Sequence, residues 1–248
     1  MDPVKSAGES LYTLLEANML RLLALVGGLV GVLAAPASVL GEVTSARSGF
    51  AVLVHGDDPS IKEGVVVIRY EGTIEAPMAE RLAGIWAGLQ GKYKTVIVHL
   101  NSSGGALKHA EEVSAVLKGM RTEVELVTFV YQGQSCLSAC LLVFMQGAER
   151  IAGGATSWLF HGACPEHSNV PSLRSTRHYV NLLREAGVST EFLRFLEDCG
   201  YLTNAGAFWA SGYELAYVHK ANIITRLLAP WQPETPIFLP GDPQIRPR

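Results

Sequence analysis

Three short stretches of this 248-residue chain carry residues that could do hydrolytic chemistry. They are residues 101–105 (NSSGG), 133–138 (GQSCLS) and 161–164 (HGAC). Ser138 in the second stretch follows a strand-like run and precedes an apolar helical pattern. A serine at such a turn exposes its hydroxyl, and the first helical N–H groups point at the group that it attacks. These N–H groups can stabilise a developing oxyanion. The structural alternative is that Ser135 or Ser138 only caps a buried helix.

His161 is the candidate general base for Ser138. An imidazole is the usual activator of a weak hydroxyl nucleophile. Of the seven histidines, only His161 lies in a loop that leaves a predicted strand after the serine. A structural role is the alternative for any single histidine. A serine–lysine dyad is the weaker chemical alternative, because the only lysine beyond Ser138 is Lys220, which flanks a separate β-like run.

Gly104 and Gly105 lie between a predicted strand and a predicted helix. Glycine at such a junction lets backbone N–H groups approach a ligand closely, which suits an anion or oxyanion site. An ordinary strand–helix turn is the alternative interpretation. The glycine pair therefore adds to the Ser138 hypothesis but does not establish a site by itself.

The elements that must position these stretches alternate between strands and helices, which predicts an α/β fold with a parallel sheet. In such sheets the active groups gather at the carboxyl ends of the strands. All three stretches directly follow a predicted strand, so we expect them to converge. The predicted strands are residues 50–55, 65–70, 95–100, 124–131 and 157–160, with Ile151 in a short edge strand, and the predicted helices are 77–89, 106–120 and 137–145.

The remainder of the chain is predicted to contain two amphipathic helices, a capping box and an extended tail. The helices cover residues 172–186 and 189–199. Ser211 with Glu214 has the spacing of a capping box. A β-like run follows at 222–227, and the proline-rich segment 229–248 is expected to be extended.

Composition and the N-terminal segment indicate an exported globular protein. The net charge is −3 and no Lys/Arg stripe is present, so nucleic acid is not an expected partner. Residues 22–41 are uncharged, follow Arg21 and end in small residues, so residues 1–41 are predicted to be a signal peptide. Met19 is an alternative start, which would make residues 1–18 a miscalled extension. Membrane anchoring through 22–41 is the rival, because about 20 apolar residues span a bilayer. Either interpretation places the rest outside the cytoplasm, in the periplasm or another exported location.

The four cysteines are Cys136, Cys140, Cys164 and Cys199. In an oxidising compartment they permit two disulfides with three connectivities. Cys136 and Cys140 are expected to lie one helical turn apart, so we expect each to bond outward to Cys164 or Cys199. Four reduced structural cysteines are the alternative. The CxxxC spacing and the lack of a His/Cys cluster in the sequence predict no metal site, and no cofactor is expected.

The order strand–NSSGG–helix, strand–GQSCLSACLL–helix, strand–FHGA resembles the Clp-protease-like (ClpP/crotonase) superfamily. It is most similar to the branch of predicted periplasmic ClpP-like proteins. The resemblance spans residues 65–228 and implies a domain at 50–228. It also implies a spiral of β-β-α units with a mostly parallel sheet flanked by helices.

The resemblance implies a role for each residue of the candidate site. Ser138 would be the nucleophile and His161 the base. The oxyanion hole would be formed by the N–H groups of Ala139 and of Gly104 or Gly105. Relatives of this fold form rings or trimers, which implies a homo-oligomer.

Two positions depart from the family pattern. Ser103 stands where the family usually has proline. The triad acid is expected just before Phe208, where residues 204–207 read NAGA and contain no carboxylate. Asn204 could orient the imidazole, as asparagine does in Cys-His-Asn proteases, and Asp198 is the nearest acid in sequence.

The sequence therefore predicts an exported serine hydrolase, of the peptidase type, that acts on a peptide or protein. The alternative is a catalytically weak or inactive scaffold that binds peptides or envelope partners through the same cleft. A crotonase-type acyl-CoA enzyme is a third hypothesis, but CoA is not expected outside the cytoplasm. An ATP-driven unfoldase partner is not expected either, because ATP is scarce there.

Overall fold

The computed structural model describes residues 49–165, 168, 170–202 and 206–228. The predicted signal peptide or anchor, the proline-rich tail and Asn204 lie outside these residues. None of the helices in the described ranges has the length and apolarity needed to cross a membrane. In chain order the elements are β1 (Gly49–Val54), β2 (Val65–Glu71), α1 (Met78–Leu89), β3 (Thr95–Asn101), α2 (Leu107–Met120), β4 (Glu125–Val130), β5 (Ser135–Leu137), α3 (Cys140–Phe144), β6 (Glu149–Ala152), β7 (Ser157–Phe160), α4 (Leu173–Glu185), α5 (Thr190–Asp198), β8 (Phe208–Ser211), a π-helical turn (Glu214–Val218) and β9 (Arg226–Leu227).

These strands form two mixed sheets. The larger has the order β1-β2-β3-β4-β6-β9, with β1 antiparallel to β2 and the other pairs parallel. Residues 55–64 join β1 to β2, and a parallel pair needs a longer crossover of about a dozen residues or more. The smaller sheet has the order β5-β7-β8, with β5 parallel and β8 antiparallel to β7.

The α/β class is confirmed, but the predicted single, mostly parallel sheet is corrected to two mixed sheets. The sequence prediction missed β5 and β8, which build the smaller sheet. The prediction that Ile151 lies in an edge strand is also wrong, because β6 lies between β4 and β9. The edge is β9, which lies within the β-like run predicted at 222–227.

The side chains of β2 and β3 alternate between two apolar clusters, so both faces of the larger sheet are buried. Val66 and Ile68 belong to the main core, whereas Val65, Val67 and Ile97 belong to a smaller apolar cluster formed by the alternate residues. Side chains alternate between the two faces of a strand, so both faces of this sheet are apolar. This accounts for the nearly continuous apolar runs of both strands, which are typical of buried strands.

Apolar stripes place the two long helices α1 and α2 against the main core. Met78, Leu82 and Trp86 recur at helical spacing along α1 and are buried. Val113 and Leu117 do the same along α2 and are fully buried. The helices predicted at 77–89 and 106–120 are therefore confirmed.

Side-chain caps fix where the C-terminal helices begin. Ser172 and Ser189 each accept a hydrogen bond from the backbone N–H three residues further on, at the starts of α4 and α5. The predicted capping box is also present. Ser211 N–H donates to Glu214 Oε2 (2.7 Å) and Glu214 N–H donates to Ser211 Oγ (3.2 Å).

A buried histidine ties β3 to the turn that precedes β5. His99 is only 7% exposed, and its Nε2 lies 2.6 Å from Gln134 Oε1. The same oxygen accepts the N–H of Tyr131 (3.1 Å). Burial away from water disfavours the charged imidazole and lowers the pKa of His99 to about 4.

We expect this histidine to make stability depend on pH. The imidazole titrates near 6.5 in the unfolded chain and near 4 in the fold, so the unfolded chain binds more protons between those values. The contribution of neutral His99 to the free energy of unfolding should be fully present above pH 6.5. It should fall by up to about 3 kcal/mol as the pH decreases to 4. Urea denaturation across this pH range should show that the free energy of unfolding falls with decreasing pH in the wild type and falls less steeply in His99→Gln. His178→Gln, at an exposed imidazole, is the control. An unchanged slope in His99→Gln would contradict the assignment.

Candidate active site

Backbone hydrogen bonds attach the loop 101–105 to β5. Ser102 N–H donates to Ser135 O (2.8 Å), and Leu137 N–H donates to Ser102 O (3.0 Å). Asn101 Oδ1 accepts the N–H of Ser135 at 3.2 Å. The first predicted stretch is thus held directly beside the strand that leads into the second.

Ser138 occupies an unusual backbone conformation immediately after β5. Its φ is +52°, in the left-handed region that few residues other than glycine adopt. Its N–H donates to Leu159 O (2.9 Å), and its carbonyl accepts Tyr179 Oη–H (2.9 Å) and Leu141 N–H (3.0 Å). Residues held in this way cluster at functional sites, and the strand–turn–helix context is that of a nucleophile elbow.

Only glycine fits at both positions of the predicted oxyanion loop. A Cβ atom on Gly104, whose φ is +88°, would lie 2.5 Å from Leu137 O and 3.0 Å from Ser138 Cβ. A Cβ atom on Gly105 would lie 2.0 Å from Ile74 O. The loop therefore contacts the Ser138 turn more closely than any side chain would allow.

The hydrogen bonds distinguish between the two candidate glycines. Gly104 N–H donates to Ser102 Oγ (3.1 Å) and is already used. Among the described residues, neither Gly105 N–H nor Ala139 N–H has an acceptor. Gly105 and Ala139 both line the cleft that contains Ser138, whereas Gly104 does not. These two N–H groups are the available donors for an oxyanion.

His161 emerges beside Ser138 at the end of β7. The parallel register pairs Leu137 with Leu159, so Ser138 and His161 leave neighbouring strands at the same edge. Both line one cleft of about 440 Å³. His161 Nδ1 lies 2.8 Å from Gly162 O, which places the ring proton on Nδ1 and leaves Nε2 as the acceptor.

The hydrogen bond that general-base catalysis requires is not formed in this structure. Within the described residues, Ser138 Oγ has no hydrogen-bond partner. Catalytic hydrogen bonds are often long without substrate and tighten when it binds. The arrangement therefore has both groups at one edge, and proton transfer would need Ser138 Oγ and His161 Nε2 to come within hydrogen-bond distance.

No carboxylate takes the place of the triad acid in the described part of the site. Asp198 is exposed at the end of α5 and does not line the cleft. Asn204 lies outside the described residues. The group that orients His161 here is the Gly162 carbonyl, which sets the tautomer without supplying a negative charge.

The cleft lining also contains ionisable residues that the sequence prediction missed. Lys108 and Glu111 come from α2, and His178 comes from α4, while Cys164 belongs to the predicted stretch 161–164. Lys108 and Glu111 could have been found from the sequence, because they lie near the start of a helix that begins two residues after Gly105. His178 could not, since α4 is distant in sequence.

The predicted pairing of the cysteines is wrong. Cys136 and Cys140 form a disulfide with each other, with their Cα atoms 5.2 Å apart, while Cys164 and Cys199 are free thiols. The prediction placed the two cysteines one helical turn apart, but Cys136 lies in β5 and the chain turns at Ser138 before α3 begins. The disulfide therefore closes the turn that holds the candidate nucleophile. It is consistent with an exported protein.

We expect the Cys136→Ala/Cys140→Ala double variant to be less stable by about 2 kcal/mol, because the disulfide closes a short loop in the unfolded chain. Urea denaturation of the two proteins measures the difference. Cys199→Ala, at an exposed free thiol, should stay within about 0.5 kcal/mol of the wild type. Alkylation of the denatured, unreduced protein should modify Cys164 and Cys199 only. Alkylation of Cys136 under those conditions would contradict the assigned pairing.

Comparison with models of known protein families found no match, and comparison with curated protein sequences found none. The resemblance to the ClpP/crotonase superfamily therefore stays a prediction from three sequence motifs, and function must be argued from the site itself.

Proposed function

We propose that this protein is an exported serine hydrolase of the peptidase type, with Ser138 as nucleophile and His161 as base. One observation carries the proposal. Ser138 sits at φ +52° in a cleft that also contains His161 and the N–H groups of Gly105 and Ala139, which have no acceptor among the described residues. A positive φ on a serine costs conformational free energy. Its occurrence beside two N–H groups that have no acceptor among the described residues supports a catalytic role.

The proposed reaction proceeds through an acyl-enzyme. Ser138 Oγ attacks the substrate carbonyl carbon as its proton passes to His161 Nε2, and the oxyanion accepts hydrogen bonds from Gly105 N–H and Ala139 N–H. His161 then gives the proton to the leaving amine as the C–N bond breaks. Water attacks the ester, and its proton returns through His161 to Ser138.

The environment of His161 predicts slow turnover. The Gly162 carbonyl can hold the imidazole in the productive tautomer, but it stabilises the imidazolium less than a carboxylate would. Losing the correctly charged partner in a serine protease triad lowers turnover about 10⁴-fold. We therefore expect activated esters to be cleaved readily and amides slowly.

A catalytically inactive scaffold that binds peptides or envelope partners is the second candidate. Two observations favour it: no carboxylate contacts His161 among the described residues, and Ser138 Oγ is not hydrogen-bonded to the imidazole. In that case the cleft would hold a peptide without cleaving it. Homo-oligomer formation belongs to both candidates and rests on the family resemblance alone.

Hydrolysis of a peptidyl p-nitrophenyl ester tests the proposal. The wild type should show a burst of p-nitrophenol followed by slower turnover, because an activated ester acylates Ser138 faster than the acyl-enzyme is hydrolysed. Ser138→Ala should abolish both phases, and His161→Gln should slow them by about 10²–10⁴. Ser157→Ala, at an exposed serine on β7, is the matched control and should react like the wild type. Wild-type rates in Ser138→Ala would exclude the mechanism, and a folded but inert wild type would favour the scaffold.

A further inference from the structure

We propose that the cleft selects substrates that carry a carboxylate, which the Lys108 ammonium binds beside the scissile bond. The carboxylate is either an acidic side chain or a free C-terminus. This inference rests on the proposed hydrolase function and names its substrate class.

The position of Lys108 follows from the start of α2. The helix begins two residues after Gly105, so Lys108 lies in its first turn. Lys108, Gly105 and Ser138 line the same cleft. A substrate whose carbonyl binds Gly105 N–H would therefore lie in the same cleft as the Lys108 side chain.

The Lys108 ammonium is not neutralised by its own helix. On a helix, the carboxylates that reach a lysine lie three and four residues away, here Glu111 and Glu112. Glu111 Oε1 instead lies 3.0 Å from His178 Nε2, and Glu112 Oε2 lies 2.9 Å from His109 Nδ1. Within the described part of the chain Lys108 forms no ion pair. Both nearby carboxylates are thus engaged by imidazoles, and the lysine faces the cleft.

The described lining offers an anion a cationic group that has no partner. Lys108 is its only lysine or arginine and forms no ion pair, whereas Glu111, its only carboxylate, is hydrogen-bonded to His178. A cationic substrate group would compete with His178 for Glu111, whereas a carboxylate could bind the Lys108 ammonium without displacing a partner.

Paired ester substrates that differ only in charge test the inference. One pair has Glu or Gln beside the ester, and a second pair ends in a free carboxylate or an amide. The wild type should prefer the charged member of at least one pair by up to about fivefold in kcat/KM, the range of a partly exposed ion pair. The pair that shows the preference identifies whether the bound carboxylate is an acidic side chain or a free C-terminus. The preference should vanish near 1 M salt, where the Debye length is about 3 Å.

Variants of the lysine provide the control. Lys108→Met should remove the preference and Lys108→Glu should reverse it. Lys118→Met removes an exposed lysine from the last turn of the same helix and should keep the wild-type preference. A preference that survives in Lys108→Met would overturn the inference.

The two proposals can fail separately. If the wild type hydrolyses the neutral esters but shows no preference in either pair, the role of Lys108 is wrong and the hydrolase proposal stands. If no ester is hydrolysed, fluorescence anisotropy with the corresponding labelled peptide amides measures binding alone. Tighter binding of the charged peptide, lost in Lys108→Met, would support the carboxylate site without catalysis, and equal binding would overturn it.

Discussion

The turn at Ser138 is the constraint on which the rest of the site depends. A serine at φ +52° costs on the order of 1 kcal/mol or more, so the surrounding contacts must hold it. Its N–H is bonded to Leu159 O on β7 and its carbonyl to the buried Tyr179 hydroxyl on α4. The Cys136–Cys140 disulfide closes the turn from both sides. Contacts with β7 and α4 and the nearby disulfide therefore all hold Ser138 in place.

The short strand β5 connects the Ser138 turn to the other parts of the site. On one side it bonds to the loop 101–105, which brings the Gly105 N–H to the cleft. On the other side it pairs with β7, which delivers His161. The glycines are needed because the loop approaches Leu137 and Ile74 too closely for a Cβ atom. The proposed nucleophile, donor and base are therefore positioned by backbone contacts rather than by long side chains.

Much of this architecture could be predicted from the sequence, because long apolar patterns and side-chain caps are local signals. The stripe of α1 and the Ser211–Glu214 capping box are examples. What failed depends on short or long-range features: β5 is too short to show alternation, and the start of α3 was placed three residues early, which led to the wrong cysteine pairing. The cleft contribution of His178 depends on how α4 packs, which no local pattern contains.

The central claim is that backbone preorganisation activates Ser138 although no carboxylate supports His161 in the described site. Labelling with an uncharged fluorophosphonate probe, followed by peptide mapping, tests this claim most directly. The probe reacts only with an activated hydroxyl, and its phosphoryl oxygen occupies the oxyanion position. The account predicts one adduct, on Ser138, that is lost in Ser138→Ala and slowed in His161→Gln. A folded wild-type protein that forms no adduct, or forms it on another serine, would contradict the account.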